Sequence, residues 1–390
     1  MTDWPVAGFT STGSKRPQLL YGEGDHPGVP LRMLRSAGCR VWDANSREFI
    51  DCIMALGAVA LGYAHPAVTR AAAEAIESGG VGPLAPVLEE ELAGELRRLM
   101  PHLEQMRFLK TGAEACAAAI RLARAYTGRE MVLGCGYHGW LDWCSSASGV
   151  PAGVTHLYDV VPFNDVEETR RIIRAVGHRL ACVIIEPVIG AEPDQAWLAA
   201  LRNETSRAGA LLVIDEVKTN CRLAIGGATG RYGLEPDLVV LGKALANGFP
   251  LAVVGGRESV MVRVADTWIS STLATEFVSL AAARACLGIM ERENVPAALH
   301  VIGTRLLAGL ERLAAEFPDL IAKAAGIPQM CHLEFRSDTI SSALAVGTAR
   351  RGVLWKRSAY NFVSLAHDDG VVDQVLGALD DTLRDLRRQG

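Results

Sequence analysis

Three short apolar runs in the middle of the chain constrain its fold more than any other feature. Ala181-Cys182-Val183-Ile184-Ile185 runs into Glu186, Leu211-Leu212-Val213-Ile214 into Asp215, and Leu238-Val239-Val240-Leu241 into Gly242-Lys243. Four or five consecutive apolar residues leave no face for water, so each run reads as a strand covered on both sides. Upstream, Met106–Leu109 leads into Thr111-Gly112 and an alanine-rich helix, and Met131–Leu133 leads into Gly134. Strands of this kind separated by helix-length segments predict an α/β fold with a mostly parallel sheet. Such sheets bind ligands outside the carboxyl ends of their strands. Here those ends carry Thr111, Glu186, Asp215 and Lys243.

The rest of the chain sets the frame. At 390 residues it is too long for one small core. A large domain over 56–283 is expected, with a smaller α+β domain built from the chain ends: 1–55 as an arm and part of the small domain, 284–390 as its remainder. Residues 1–30, rich in Gly, Pro and Ser, read as an extended arm. Arg40–Asp51 reads as a hairpin turning at Asp-Ala-Asn-Ser, and Leu88–Leu99 as an amphipathic helix. The chain is expected to be helical from about 276 to Phe317 and again from Val371 to Arg388.

Composition excludes more than it selects. The net charge is −5 and no dense Lys/Arg run occurs, which argues against nucleic acid as a partner. No apolar run approaches the ~18 residues of a membrane span, and the first residues lack a signal-peptide pattern, so a cytoplasmic protein is expected. The nine cysteines include no CxxC and cannot all pair within one chain; they read as reduced core thiols. Cys135, His138 and Cys144 have irregular spacing and no second ligand pair, so no metal is expected.

The chemistry follows from the strand ends. Thr111-Gly112-Ala113 opens a helix after a strand, and free backbone N–H groups at a positive helix end form a seat for phosphate. Thr111 is also a helix N-cap, a role compatible with that seat. Neither a P-loop nor a G-x-G-x-x-G pattern is present. A phosphate seat, a carboxylate, a lysine and an aromatic residue (Tyr137) together suit pyridoxal phosphate. The lysine forms a Schiff base with its aldehyde, the carboxylate keeps its ring nitrogen protonated, and the aromatic ring stacks on its face.

With these residues in view, the chain resembles the class III (omega) aminotransferases of pyridoxal-phosphate fold type I. Within them it is similar to the branch around glutamate-1-semialdehyde aminomutase. The resemblance extends from Trp42-Asp43 and Gly62-Tyr63-Ala64-His65-Pro66 to His367. It is most specific from Ile214-Asp215-Glu216-Val217 through Arg222, Gly226-Gly227 and Tyr232–Leu238 to Leu241-Gly242-Lys243. It implies that Lys243 forms the Schiff base and shuttles protons, and that Asp215 pairs with the ring nitrogen. It places Tyr137 on the ring with His138 beside it, Val217 on the opposite face, and Glu186 near the cofactor hydroxyl. Thr111, Gly112 and Ala113 would cradle the phosphate, and Thr272 would reach the phosphate of a neighbouring subunit in a homodimer. Arg16 and Trp140 are the candidates for the substrate side.

The sequence departs from the family in places. The phosphate turn reads Thr-Gly-Ala where Ser-Gly-Thr is usual. Leu273-Ala274-Thr275-Glu276-Phe277 stands in place of the aminomutase's Leu-Ser-Gly-Asn-Pro. The expected activity is transfer of an amino group between an amino donor and an oxo acceptor, both small molecules. An aminomutase or epimerase is the alternative, and a non-catalytic homologue a third reading that Lys243, Asp215 and Thr272 disfavour.

Overall fold

The computed structural model describes residues 5–389; residues 1–4, the start of the expected arm, and residue 390 lie outside this range. The chain divides into two compact units, one made of the ends up to His65 and from Ala298, the other running Pro66–Ala297. The divisions fall later than the expected 55/56 and 283/284. At the second division the reason is the helix Phe277–Arg292, which packs on the helices Pro66–Glu77 and Val87–Leu99 and on the turn Lys243–Ala246. Arg98–Glu291 at 2.7 Å and Arg284–Glu95 at 2.8 Å fix its outer face to the second of those helices.

In the unit of the chain ends, strands β1 (Met33–Ala37), β2 (Arg40–Asp43) and β3 (Glu48–Asp51) form an antiparallel meander. The β2–β3 hairpin turns where the sequence places it. Asp43 accepts from the Asn45 and Arg47 N–H groups at 2.9 Å, the local bonding that suits Asp to turns. The arm is not extended throughout. Gly13–Lys15 forms a single 3₁₀ turn and Pro17–Tyr21 a short helix. Pro17 at the first helical position presets φ, and Tyr21 is buried with Val29, Ala345 and Ala349.

The Pro66–Ala297 unit holds the main sheet. Its strands are β4 (Gln105–Leu109), β5 (Met131–Cys135), β6 (Tyr158–Val160), β7 (Leu180–Ile185), β8 (Leu211–Asp215), β9 (Leu238–Leu241) and β10 (Ala252–Gly256). They lie in the order β4-β10-β9-β8-β7-β5-β6. Every pairing from β9 to β6 is parallel, and β10 runs antiparallel to both neighbours. β4 therefore points the same way as β9, and the ends of β4, β5, β7, β8 and β9 share one edge. β7 is fully buried along its length, as its unbroken apolar run requires.

The helix Gly112–Thr127 crosses this sheet with Ala115, Ala119, Ile120, Leu122 and Ala123 buried. Small side chains let its backbone lie close to the strands. A capping box starts it: the Thr111 hydroxyl accepts from the Glu114 N–H, and the Glu114 carboxylate accepts from the Thr111 N–H. Gly128, in the left-handed region, ends it.

In the unit of the chain ends, β11 (Ile321–Ile327) and β12 (Met330–Phe335) form a second hairpin. β13 (Val353–Leu354) adds to β3 in parallel, and β14 (Asn361–Phe362) adds to β12. The last helix runs Asp369–Gln389.

Candidate active site

Asp215 closes β8 and is buried. His138 Nδ1 lies 2.7 Å from its Oδ2, the Cys116 thiol donates to the same oxygen at 3.4 Å, and the Val217 N–H donates to Oδ1 at 3.0 Å. Burial alone would push the Asp215 carboxyl up. The His138 hydrogen bond and charge, the Val217 N–H and the Cys116 thiol outweigh it, and the group lies below its ordinary value. Asp215 is therefore a carboxylate at neutral pH, with acceptor capacity left over. Burial, reinforced by the Asp215 charge, raises the Cys116 thiol well above its ordinary value and keeps it protonated.

His138 is itself buried, with its ring stacked on Trp143 at 6.1 Å between centroids. Its Nε2 has no hydrogen-bond partner among the described residues. Cys116, His138 and Asp215 offer three ligand atoms within 4.8 Å of one another. The hydrogen bonds among them already account for that spacing.

Lys243 follows β9 after an extended Gly242 and has a φ of 46°, in the left-handed region that a lysine enters only at a cost. The neighbouring turn holds it there: Asn220 Nδ2 donates to the Gly242 carbonyl at 3.0 Å and to the Glu216 carbonyl at 2.5 Å. Among the described residues the Lys243 amine has no hydrogen bond and no carboxylate within ion-pair distance. Burial pushes its pKa down; Glu186 and Asp215 oppose that shift, and Lys218 and Arg222 reinforce it.

Val217 brings three strand ends together. A Cβ built on Gly112 would lie 2.9 Å from both Val217 methyl groups, and one on Gly242 3.5 Å from the nearer. Glu186 follows β7 and ties two loops to the site. Its Oε1 lies 2.8 Å from Lys218 Nζ, and its Oε2 accepts the Tyr137 N–H at 2.9 Å.

The phosphate turn is partly committed. The Thr111 hydroxyl and N–H both face Glu114, which leaves the Gly112 and Ala113 N–H groups at the helix start. Ala113 packs against Gly139, where an added Cβ would lie 2.6 Å from the Ala113 Cβ. The Tyr137–Gly139 loop therefore rests on this turn. Tyr137 is 69% exposed and Trp140 74%. Thr272 is exposed in the turn before the helix Phe277–Arg292, and its hydroxyl has no partner among the described residues. Arg16 is exposed in the unit of the chain ends, at the start of the helix Pro17–Tyr21.

The structure thus groups Gly112, Ala113, Tyr137, His138, Glu186, Asp215, Val217 and Lys243. Sequence reasoning missed two members, Cys116 and Lys218. Cys116 is masked by its alanine-rich helix. Lys218 leaves a signal, since a lysine directly after Ile-Asp-Glu-Val has to be accommodated at the end of a buried strand.

These residues fit a planar, phosphate-bearing ring. Among the described residues they present an ionised carboxylate for a ring N–H, a desolvated amine without a counter-ion, two unpaired N–H groups at a helix start, and a buried imidazole nitrogen without a partner. Fold and site together define a pyridoxal-phosphate-dependent transferase of fold type I.

Residues 21–383 match the class-III aminotransferase family. Glutamate-1-semialdehyde 2,1-aminomutase of Pyrobaculum aerophilum is 35% identical over 402 residues, which cover 93% of this chain and 94% of its own. The FumI protein of a Sphingopyxis species, solved as its pyridoxal-phosphate internal aldimine, superposes with a TM-score of 0.91 at 27% identity, covering 97% of this chain and 92% of its own. A β-phenylalanine aminotransferase of Variovorax paradoxus superposes with a TM-score of 0.84 at 26% identity, covering 95% and 92%. The chain belongs to the class-III aminotransferase family. It is a pyridoxal-phosphate-dependent enzyme that moves amino groups on small molecules. No helix among the described residues is long and apolar enough to cross a membrane.

Proposed function

We propose that the chain is an aminotransferase with two substrates, an amino donor that leaves as an oxo compound and an oxo acceptor that leaves aminated. Pyridoxal phosphate, when bound, supplies an aldehyde that condenses with amines and a protonated ring that draws electrons from the adjoining carbon. The Lys243 amine would hold that aldehyde and, as a base, would carry a proton to and from the substrate carbon. Asp215 holds the proton on the ring nitrogen, and His138 and Cys116 orient Asp215. The Gly112 and Ala113 N–H groups, with Thr111 as their cap, bind the phosphate. Tyr137 and Val217 would cover the two ring faces, and Glu186 would stand on the hydroxyl side of the ring. Thr272, whose exposed hydroxyl has no partner among the described residues, would reach the phosphate of the second subunit of a homodimer. Arg16 and Trp140 are proposed to meet the substrate, in a cytoplasmic enzyme.

The observation that favours a two-substrate transferase lies after Thr272. Glu276 caps the helix Phe277–Arg292 through the Val278 and Ser279 N–H groups and pairs with Lys110 at 2.7 Å. The segment that departs from the aminomutase pattern is thereby tied into the scaffold by Glu276. The second reading, an aminomutase that returns the amino group to the same skeleton, is favoured by the Pyrobaculum relative's activity.

Assay of purified enzyme with a panel of amino donors, with and without an oxo acceptor, separates them. Two-substrate transfer requires both partners and releases one oxo product per donor consumed. Isomerisation or epimerisation of a single amino compound, with no acceptor and no oxo product, would overturn the proposal.

A further inference from the structure

Lys218 is a buried lysine close to Lys243 and has no part in the chemistry proposed for the site. It follows Val217 in the turn after β8, is 7% exposed, and pairs with Glu186 at 2.8 Å. Glu186 is itself held in place. Its other oxygen accepts the Tyr137 N–H, and Gly136, at φ 105°, makes room for it: a Cβ there would lie 2.6 Å from Oε2. A buried ion pair contributes little net stability, because desolvating both charges offsets their attraction. A reason other than stability is needed for this one.

The groups facing Lys243 supply that reason. They are Glu186 after β7, Asp215 at the end of β8, and Lys218 and Arg222 in the turn that follows. The helix Phe277–Arg292 brings only the Cys286 thiol, which donates to the Ala244 carbonyl at 3.3 Å and is kept protonated by burial. The helix Gly112–Thr127 brings Cys116, which is bonded to Asp215. Among the described residues two carboxylates, Glu186 and Asp215, could therefore neutralise Lys243, and both are occupied. Asp215 is bonded to His138, Cys116 and the Val217 N–H, and Glu186 to Lys218 and the Tyr137 N–H.

We propose that Lys218 is a positioning residue: by holding the Glu186 carboxylate it denies Lys243 a counter-ion and keeps the Lys243 amine a free nucleophile. The inference rests on the assignment of Lys243 made above. Without Lys218, Glu186 would turn to the nearest remaining cation, and Lys243 would hold its proton to higher pH.

The test is the pH profile of Lys243 acetylation by acetic anhydride, followed by mass spectrometry on the full-length chain stripped of cofactor. The visible absorbance of the reloaded enzyme, titrated with pH, is the second readout. Lys218→Met should move both midpoints up by about one pH unit or more, the effect of an opposite charge brought close. Lys218→Arg, which keeps the pair, should leave them unchanged. Glu186→Gln should lower them or leave them in place. In the Lys218→Met/Glu186→Gln double variant, most of the upward shift should vanish. A profile unmoved in Lys218→Met overturns the proposal. So does an equal shift with and without Glu186, which would mean direct repulsion rather than sequestration. If Lys218→Met does not fold, a midpoint in Glu186→Gln above that of the wild type overturns it as well. Lys243→Ala separates the two levels: visible absorbance and turnover retained there would refute the assignment of Lys243 itself, whatever Lys218 does.

Discussion

Burial opposes the charge on both Lys243 and Asp215, but only at Asp215 do hydrogen bonds and a neighbouring charge outweigh it, so their titrations have opposite consequences. Asp215 is held below its ordinary value, so it adds stability that is complete above the unfolded carboxylate range of about 4 and is lost as pH falls through the lower folded value. Asp215→Asn is therefore expected to flatten the acid limb of the unfolding curve and to remove most turnover while phosphate binding remains. Full activity in that variant would mean that another carboxylate serves the ring nitrogen. Lys243 is lowered, so the folded state binds its proton less well than the unfolded chain does. The cost is present below the folded value and fades as pH rises toward the unfolded value of about 10. Cofactor-free Lys243→Ala should consequently melt above the cofactor-free wild type at neutral pH and be inactive when cofactor is supplied. A lower melting temperature would mean that the lysine side chain packs more usefully than its burial suggests. At this scale the sequence showed the residue types, because Asp215 and Lys243 interrupt apolar runs. It did not show that Glu186 pairs with Lys218, since no local pattern links a strand end to a turn thirty-two positions on.

Between strand and helix, the turn after β8 determines whether the site is built at all. Glu216 is fully buried and raised by burial; it accepts from the Thr219 hydroxyl and from the Ala228 and Thr229 N–H groups at 2.9 and 2.5 Å. Gly227 has φ 65°, and a Cβ there would lie 2.6 Å from both Glu216 oxygens. Gly227→Ala should lower stability by about 1–3 kcal/mol through strain and that clash, as read by urea unfolding of cofactor-free protein. No measurable loss would show that the carboxylate moves aside freely. At the other strand end, Glu114→Ala should cost about 1 kcal/mol by removing half of the capping box, measured the same way. Strands β7, β8 and β9 were readable because unbroken apolar runs admit few alternatives. β6 and β10 were not read: three residues in β6 are too few for a period, and β10 resembles any short apolar segment. The helix Pro17–Tyr21 was hidden for a different reason. Tyr21 is buried, and Leu20 partly so, against Ala345 and Ala349, more than three hundred positions away.

At the scale of the whole molecule, the homodimer prediction carries the most weight. Thr272→Ala should weaken cofactor retention by roughly the 1.5–3 kcal/mol of a hydrogen bond to a charged group, measured by dialysis against competitor, without changing the oligomeric state in sedimentation. Unchanged retention would argue that the loop before the helix Phe277–Arg292 serves its own subunit's scaffold only. By itself the sequence determined the parallel sheet, the edge on which chemistry is possible, the family, and the lysine and carboxylate at two of its strand ends. Periodicity and strand-end polarity are local, and a chain cannot bury Leu238–Leu241 and place Lys243 elsewhere than just beyond it. Only the tertiary structure decided which acid faces which cation. It turned Thr111 onto Glu114, gave Asp215 to His138 and Cys116, and gave Glu186 to Lys218, leaving Lys243 without a counter-ion among the described residues. Those choices depend on distances of a few ångströms between separate strand ends, and such distances are set by sheet order and packing rather than by any run of neighbouring residues.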